Sequence, residues 1–157
     1  MSEMDEAPAA SETEHDLELE IRVEARPETV FAFLTDPGRY RLWMGRTAEL
    51  DPRPGGTYRV DVNGTNSVVG EYLLVEPPSR VVFTWGWVGS DEVPPGSTTV
   101  ELTLVPQGEA TIVRLRHSGL PSSEQREQHG HGWRHYLDRL AVAAAGGDPG
   151  LDPMDAG

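Results

Sequence analysis

The chain has 157 residues, the size of one domain with a well-buried core. It has no cysteine, which excludes disulfides, thiolate nucleophiles and Cys-ligated metal centres, and it fits a reducing, cytoplasmic setting. The formal net charge is −13, with all 13 basic residues arginines between Arg22 and Arg139 and the excess acid at the two ends, so there is no basic face for nucleic acid.

In chain order, the opening MSEMDEAPAASETEHD has neither the basic nor the apolar part of a secretory signal, and residues 1–15 read as a disordered acidic arm. DLELEIRVEA then alternates strictly, placing Leu17, Leu19, Ile21 and Val23 on one face of a half-buried strand. RPETVFAFLTDPGRYRLWM follows as a helix with Pro27 at its first position, broken by Asp36-Pro37, and a short second helix is expected through Leu42 and Trp43. From Arg46 the pattern is of strands: TAELD, TYRVDV, a hairpin signal at Asn63-Gly64, SVVGEYLLVE, RVVFTWGWV, a polar loop GSDEVPPG, STTVELTLV and ATIVRLRHS. The last element opens with Ser122-x-x-Gln125, the spacing of a capping box, and runs as a long helix to about residue 145. GGDPGLDPMDAG, residues 146–157, reads as a flexible tail. No apolar run approaches the roughly 20 residues that span a bilayer, so no membrane partner is expected. The fold class is therefore α+β, with residues 16–145 forming about seven antiparallel strands and a long C-terminal helix.

HGHGWRHYLDRLA, residues 129–141, carries the densest group of chemistry-bearing residues. At about 100° per residue, His131, His135 and Asp138 share one helix face, while Trp133, Tyr136, Leu137, Leu140 and Ala144 share the opposite, core-facing one. Two imidazoles at i and i+4 can share zinc or nickel, but the face reads as a solvated one, and neither metal nor cofactor is expected. His129 falls with Trp133 on the inner side. In TIVRLRHS, parity turns Thr111, Val113, Leu115 and His117 inward against Arg114 and Arg116. The two inward histidines fit either hydrogen-bonded core positions or polar groups of a pocket.

In RVVFTWGWV, Val81, Phe83, Trp85 and Trp87 share a face, with Gly86 opposite. If the rings face inward, Gly86 leaves the outside bare, whereas the reverse choice opens room in the interior at Gly86, and the sequence does not decide between them. Gly130 and Gly132 each cost the helix about 1 kcal/mol relative to alanine, which a kink, a frayed turn or a close approach to a ligand would explain. Glu71 and Asp61 are possible inward carboxylates without obvious partners. No nucleophile elbow, phosphate loop or dinucleotide fingerprint occurs, and Ser118 points away from its neighbour His117.

The succession RPETVFAFLTDPGRYRLWM, RPGGTYRV, GEYLLVEPPSRVVFTW, STTVELTLVPQGEATIVRLRHSGL and GHGWRHYLDRL resembles the SRPBCC, or START-like, superfamily, in the branch named for the activator of the heat-shock-protein-90 ATPase. The resemblance covers roughly residues 16–145 and rests on the order of the motifs. It implies a helix-grip fold, in which a curved sheet wraps the C-terminal helix around an elongated, mostly apolar cavity. Ligand-binding residues would then be Trp43, Phe83, Trp85, His117, His129, Trp133 and Leu137. The implied function is binding of a small hydrophobic or aromatic molecule without turnover, in secondary metabolism, by a monomer or weak dimer. The all-arginine basic set fits a GC-rich actinobacterial genome, where the branch includes proteins similar to the self-sacrifice resistance proteins against calicheamicin-type enediynes. In that alternative the antibiotic cleaves the protein, with Gly86, Gly130 and Gly132 as sites of attack. A second alternative, a polyketide aromatase or cyclase, would use His117, His129 or Tyr136 as general acid or base. A co-chaperone role would rest on the branch name alone.

Overall fold

The computed structural model describes residues 15–150; the acidic arm over 1–14 and the tail over 151–157 lie outside the described residues. The alternating segments all become strands: β1 (Leu17–Val23), β2 (Thr47–Leu50), β3 (Thr57–Asp61), β4 (Ser67–Glu76), β5 (Arg80–Trp85), β6 (Thr98–Gln107) and β7 (Ala110–Ser118). They form one seven-stranded antiparallel sheet in the order β1-β7-β6-β5-β4-β3-β2. The first strand thus pairs with the last, Leu17 opposite His117 and Val23 opposite Thr111, and β4 slips register between Tyr72 and Leu74 where it meets β5.

Helix α1 (Pro27–Thr35) begins at its proline and buries Val30, Phe31, Phe33 and Leu34. Asp36 ends it in an extended conformation, and its carboxylate accepts a hydrogen bond from the Arg39 amide to start α2 (Pro37–Tyr40). The second helix therefore lies one turn earlier than the sequence suggests. It ends at Tyr40, Leu42 is exposed, and Trp43 is buried in the turn that follows. Pro37 pre-sets the first helical φ, so the helix begins immediately after the break.

Helix α3 (Ser123–Ala144) is capped by the Ser122 hydroxyl, which accepts from the Gln125 amide at 3.1 Å. It buries His129, Gly130, Trp133, Tyr136, Leu137 and Leu140, the face given by helical phase. Arg139 closes its far end, donating to the Trp43 carbonyl and to the carbonyls of Pro149 and Gly150. The concave face of the sheet holds α3 and α1, and the core lies between these layers.

The convex face is a ladder of cross-strand ion pairs, Arg114 with Glu20 at 2.9 Å, Arg116 with Asp16 at 2.7 Å and Arg80 with Glu101 at 2.7 Å. Such pairs are worth about 0–1 kcal/mol each when exposed, so they keep this face solvated more than they stabilise it. Glu71 is exposed, and Asp61 accepts from the Gly64 amide in the β3–β4 turn, so neither carboxylate points into the interior as the sequence had allowed.

Candidate functional site

β5 and α3 carry the rings that meet inside the grip. Parity along β5 turns Phe83 and Trp85 inward, where Trp85 lies 5.0 Å from Trp133, 5.5 Å from His117 and 5.6 Å from Trp87, centroid to centroid. Deeper toward β3, Tyr58 stacks on Phe83 at 4.1 Å and meets Tyr40 and Tyr72 edge-on. The Tyr40 and Tyr58 hydroxyls share a hydrogen bond, and burial raises the pKa of all three tyrosines, keeping them protonated. Rings therefore fill most of the space that an elongated internal cavity would occupy.

The open space lies at one end of the grip. It is a cleft of about 470 Å³ between three walls. Helix α3 contributes Gln125, Gln128, His129, Gly132, Trp133 and Tyr136; the strand end and loop after β5 contribute Trp85, Trp87, Val88, Gly89 and Ser90. The turn between β3 and β4, with Met44 beside it, contributes Val62, Asn63 and Asn66.

The β5–β6 loop is held over this end by backbone and side chains together. A β-carbon on Gly86 would lie 1.7 Å from the Pro94 carbonyl oxygen, so the loop covers the outside of the strand at the point expected to be bare. Only glycine permits that approach. Beyond it, Trp87 pairs across to Val68, its indole N–H donates to His129 Nε2 at 3.0 Å, and the Gln125 side chain donates to Glu92.

The hydrogen bonds fix both imidazoles. His129 Nδ1 lies 2.9 Å from the Gln125 carbonyl, which can only accept, so Nδ1 carries the proton and Nε2 takes the Trp87 N–H. His117 is the reverse tautomer. Its Nδ1 accepts from Trp133 Nε1 at 3.1 Å, and its Nε2–H donates to Thr98 Oγ1, which in turn donates to the Trp85 carbonyl. Burial lowers both pKa values, that of His117 well below the ordinary histidine value with a further push from His129, whose ring is 5.0 Å away. Both rings are neutral and have each nitrogen occupied, which leaves neither placed to exchange protons with a bound molecule.

Of the residues marked in the sequence, Trp85, Trp87, His129, Gly132, Trp133 and Tyr136 border the cleft. Phe83, His117 and Leu137 are buried behind it, and Trp43 is spent on a hydrogen bond to the Phe33 carbonyl at 2.9 Å. Gly130 faces Leu17 of β1, whereas a β-carbon on Gly132 would meet nothing within 4 Å. His131 and Asp138 are exposed and His135 packs on Tyr136; among the described residues no group of three or more His, Cys, Asp or Glu is arranged to hold a metal. Sequence reading missed Met44, Val62, Asn63, Asn66, Val88, Ser90, Gln125 and Gln128, most of them turn and loop residues that carry no periodic signal. Two buried polar atoms of the ring cluster, Trp85 Nε1 and Tyr72 Oη, have no hydrogen-bond partner.

Residues 24–145 match the family described as activator of Hsp90 ATPase homolog 1-like protein. The chain belongs to this family. No curated protein matches it. Among solved structures, an activator-of-Hsp90-ATPase-like protein of Rhizobium etli is 46% identical, with 88% of this chain aligned to 87% of that one and a TM-score of 0.70. DynU16, from the dynemicin biosynthetic locus, is 31% identical with a TM-score of 0.75; 86% of this chain aligns, and it spans 49%, about half, of DynU16. CalU16 of Micromonospora echinospora is 28% identical over 88% of this chain and 76% of its own, with a TM-score of 0.69. The TM-scores of 0.69 to 0.75 show that these proteins share this chain's fold.

Proposed function

We propose that the protein binds a small, apolar, partly aromatic molecule in the cleft and performs no reaction on it. The observation that carries this reading is the cleft itself. Its volume of about 470 Å³ lies within the usual range for small-molecule sites, and its walls are three indoles, a phenol ring and aliphatic side chains with a few polar groups at the rim. The locked, neutral imidazoles weigh against acid–base catalysis by His117 and His129, two of the three groups an aromatase or cyclase would use. The likeness to DynU16 of the dynemicin biosynthetic locus supports a role in secondary metabolism, and the cysteine-free sequence is in keeping with a reducing, cytoplasmic setting.

A second reading, self-sacrifice against an enediyne, is favoured by the likeness to DynU16 of the dynemicin locus. In it a bound diradical removes a glycine Cα hydrogen, dioxygen adds to the carbon radical, and the chain breaks there. Of the three glycines marked in the sequence, Gly132 is the one that borders the cleft; Gly86 is covered by Pro94 and Gly130 by Leu17.

Native and denaturing mass spectrometry on protein taken from its own host tests both readings. A small molecule that co-purifies and leaves on denaturation supports binding, and a fragment ending at Gly132 supports self-sacrifice. Intact protein that stays empty when offered host extract counts against both.

A further inference from the structure

The lining of the cleft carries no Asp, Glu or Arg, although a quarter of the chain is charged. The one ionisable ring in its wall able to charge near neutrality, His129, uses its Nδ1 proton on a backbone carbonyl and its Nε2 lone pair on an indole N–H. An ion entering this space would shed water and find no opposite charge, a cost that an uncharged molecule of the same shape avoids. The carboxylates nearest the rim, Glu92 and Glu124, accept from the side chains of Gln125 and Gln128 but lie outside the lining and exposed, where water screens their charge from the slot.

The rim has a polarity of its own. On the β3–β4 side, the Asn63 side-chain carbonyl is used by the amides of Thr65 and Asn66 at 3.0 and 2.8 Å, so what Asn63 offers a ligand is its NH2 group. On the helix side, Gln125 and Gln128 each use one of their two side-chain N–H groups on a glutamate and leave the carbonyl oxygen free to accept. Donors thus stand on one side of a ring-lined slot and acceptors on the other. Resting on the ligand-binding reading above, we infer that the cleft selects an uncharged, flat ring system with carbonyl oxygen on one edge and hydroxyl on the other, and that it rejects ions of either sign.

The test is calorimetric titration near neutral pH with three probes that share one ring and differ in charge: β-naphthylmethanol, β-naphthoate and β-naphthylmethylammonium. The expected result is that the alcohol binds at least about tenfold more tightly than either ion, an ion being the costlier group to bury unpaired. Gly132→Leu, which fills the slot, should abolish most of this binding. Gly132→Ala, whose methyl has open space, should weaken it less while staying folded. Binding of the acid or the amine as tight as that of the alcohol, and lost in the Gly132 variants, would overturn the charge selection and leave the site standing. No binding by any probe, or binding indifferent to both Gly132 variants, would overturn the site reading and the selection together. An Asn63→Asp variant keeps the oxygen that forms the turn and replaces the donor with a charge. It should weaken binding of the uncharged ketone β-acetonaphthone, whose carbonyl meets the donor edge, and an unchanged affinity for the ketone would contradict the assignment of that edge.

Discussion

His117 and His129 each satisfy both ring nitrogens, and each accepts the N–H of a tryptophan, which ties their charge state to the packing around them. In the unfolded chain an imidazole takes up a proton below about pH 6.5, whereas burial opposes that proton in the fold. The unfolded state therefore binds more protons as the pH drops. Stability should be complete above about pH 6.5 and decline below it, the His117 contribution persisting furthest into acid. Urea midpoints measured from roughly pH 8 to pH 5 check this, and a midpoint that rises on acidification would contradict the neutral assignment. Trp133 is 2% exposed, so Trp133→Ala should cost about 3–5 kcal/mol. Trp133→Phe keeps most of the volume but leaves His117 Nδ1 without its donor, and should cost about 1–3 kcal/mol in the same unfolding assay. His131→Ala, on the exposed face, should change stability by no more than about 0.5 kcal/mol.

At the scale of elements, the strands and the long helix were legible because each buries one face, so the alternation of Leu17 to Val23 and the phase of Trp133, Tyr136, Leu137 and Leu140 carry the answer. The β5–β6 loop was not. Its residues follow no period, and its position depends on a backbone contact between Gly86 and Pro94 that only the assembled sheet reveals. The Asn63-Gly64 hairpin forms, but as a five-residue turn in which Val62 N–H donates to the Asn66 carbonyl and Gly64 alone takes positive φ. The inward turn of His117 and His129 could be read from parity and phase. Their pairing with Trp133 and Trp87 could not, because it joins side chains from β7, α3 and the stretch after β5. The same limit explains why Phe83, Trp43 and Leu137 were grouped with Trp85: phase tells which side is inside, not which inside residues have space beside them.

The glycines show how backbone and site are coupled within an element. Gly132→Ala should stabilise the helix by up to about 1 kcal/mol, since its β-carbon meets no other atom. Gly130→Ala should gain less, because its β-carbon would come within 3.3 Å of Leu17 Cδ1. Gly86→Ala should be strongly destabilising, as the covering loop has to move away. Thermal unfolding of the three variants ranks them, and any other order would mean that the loop or the helix sits differently on the sheet.

Over the whole molecule, a filled ring core supports an open cleft at one end, so Trp43 serves stability alone while Trp133 serves both packing and the cleft wall. Trp43 is buried against Phe33 and away from the cleft, while Trp85, Trp87 and Trp133 form its walls. The chain has four tryptophans, and each gives a separate indole N–H resonance that single Trp→Phe variants can assign. The most direct test is therefore to follow these four signals while β-naphthylmethanol is added. The predicted result is that the resonances of Trp85, Trp87 and Trp133 move together and that of Trp43 stays in place. Movement of Trp43 with the other three at rest, or no movement of any signal at saturating probe, would contradict the assignment of this cleft as the binding site.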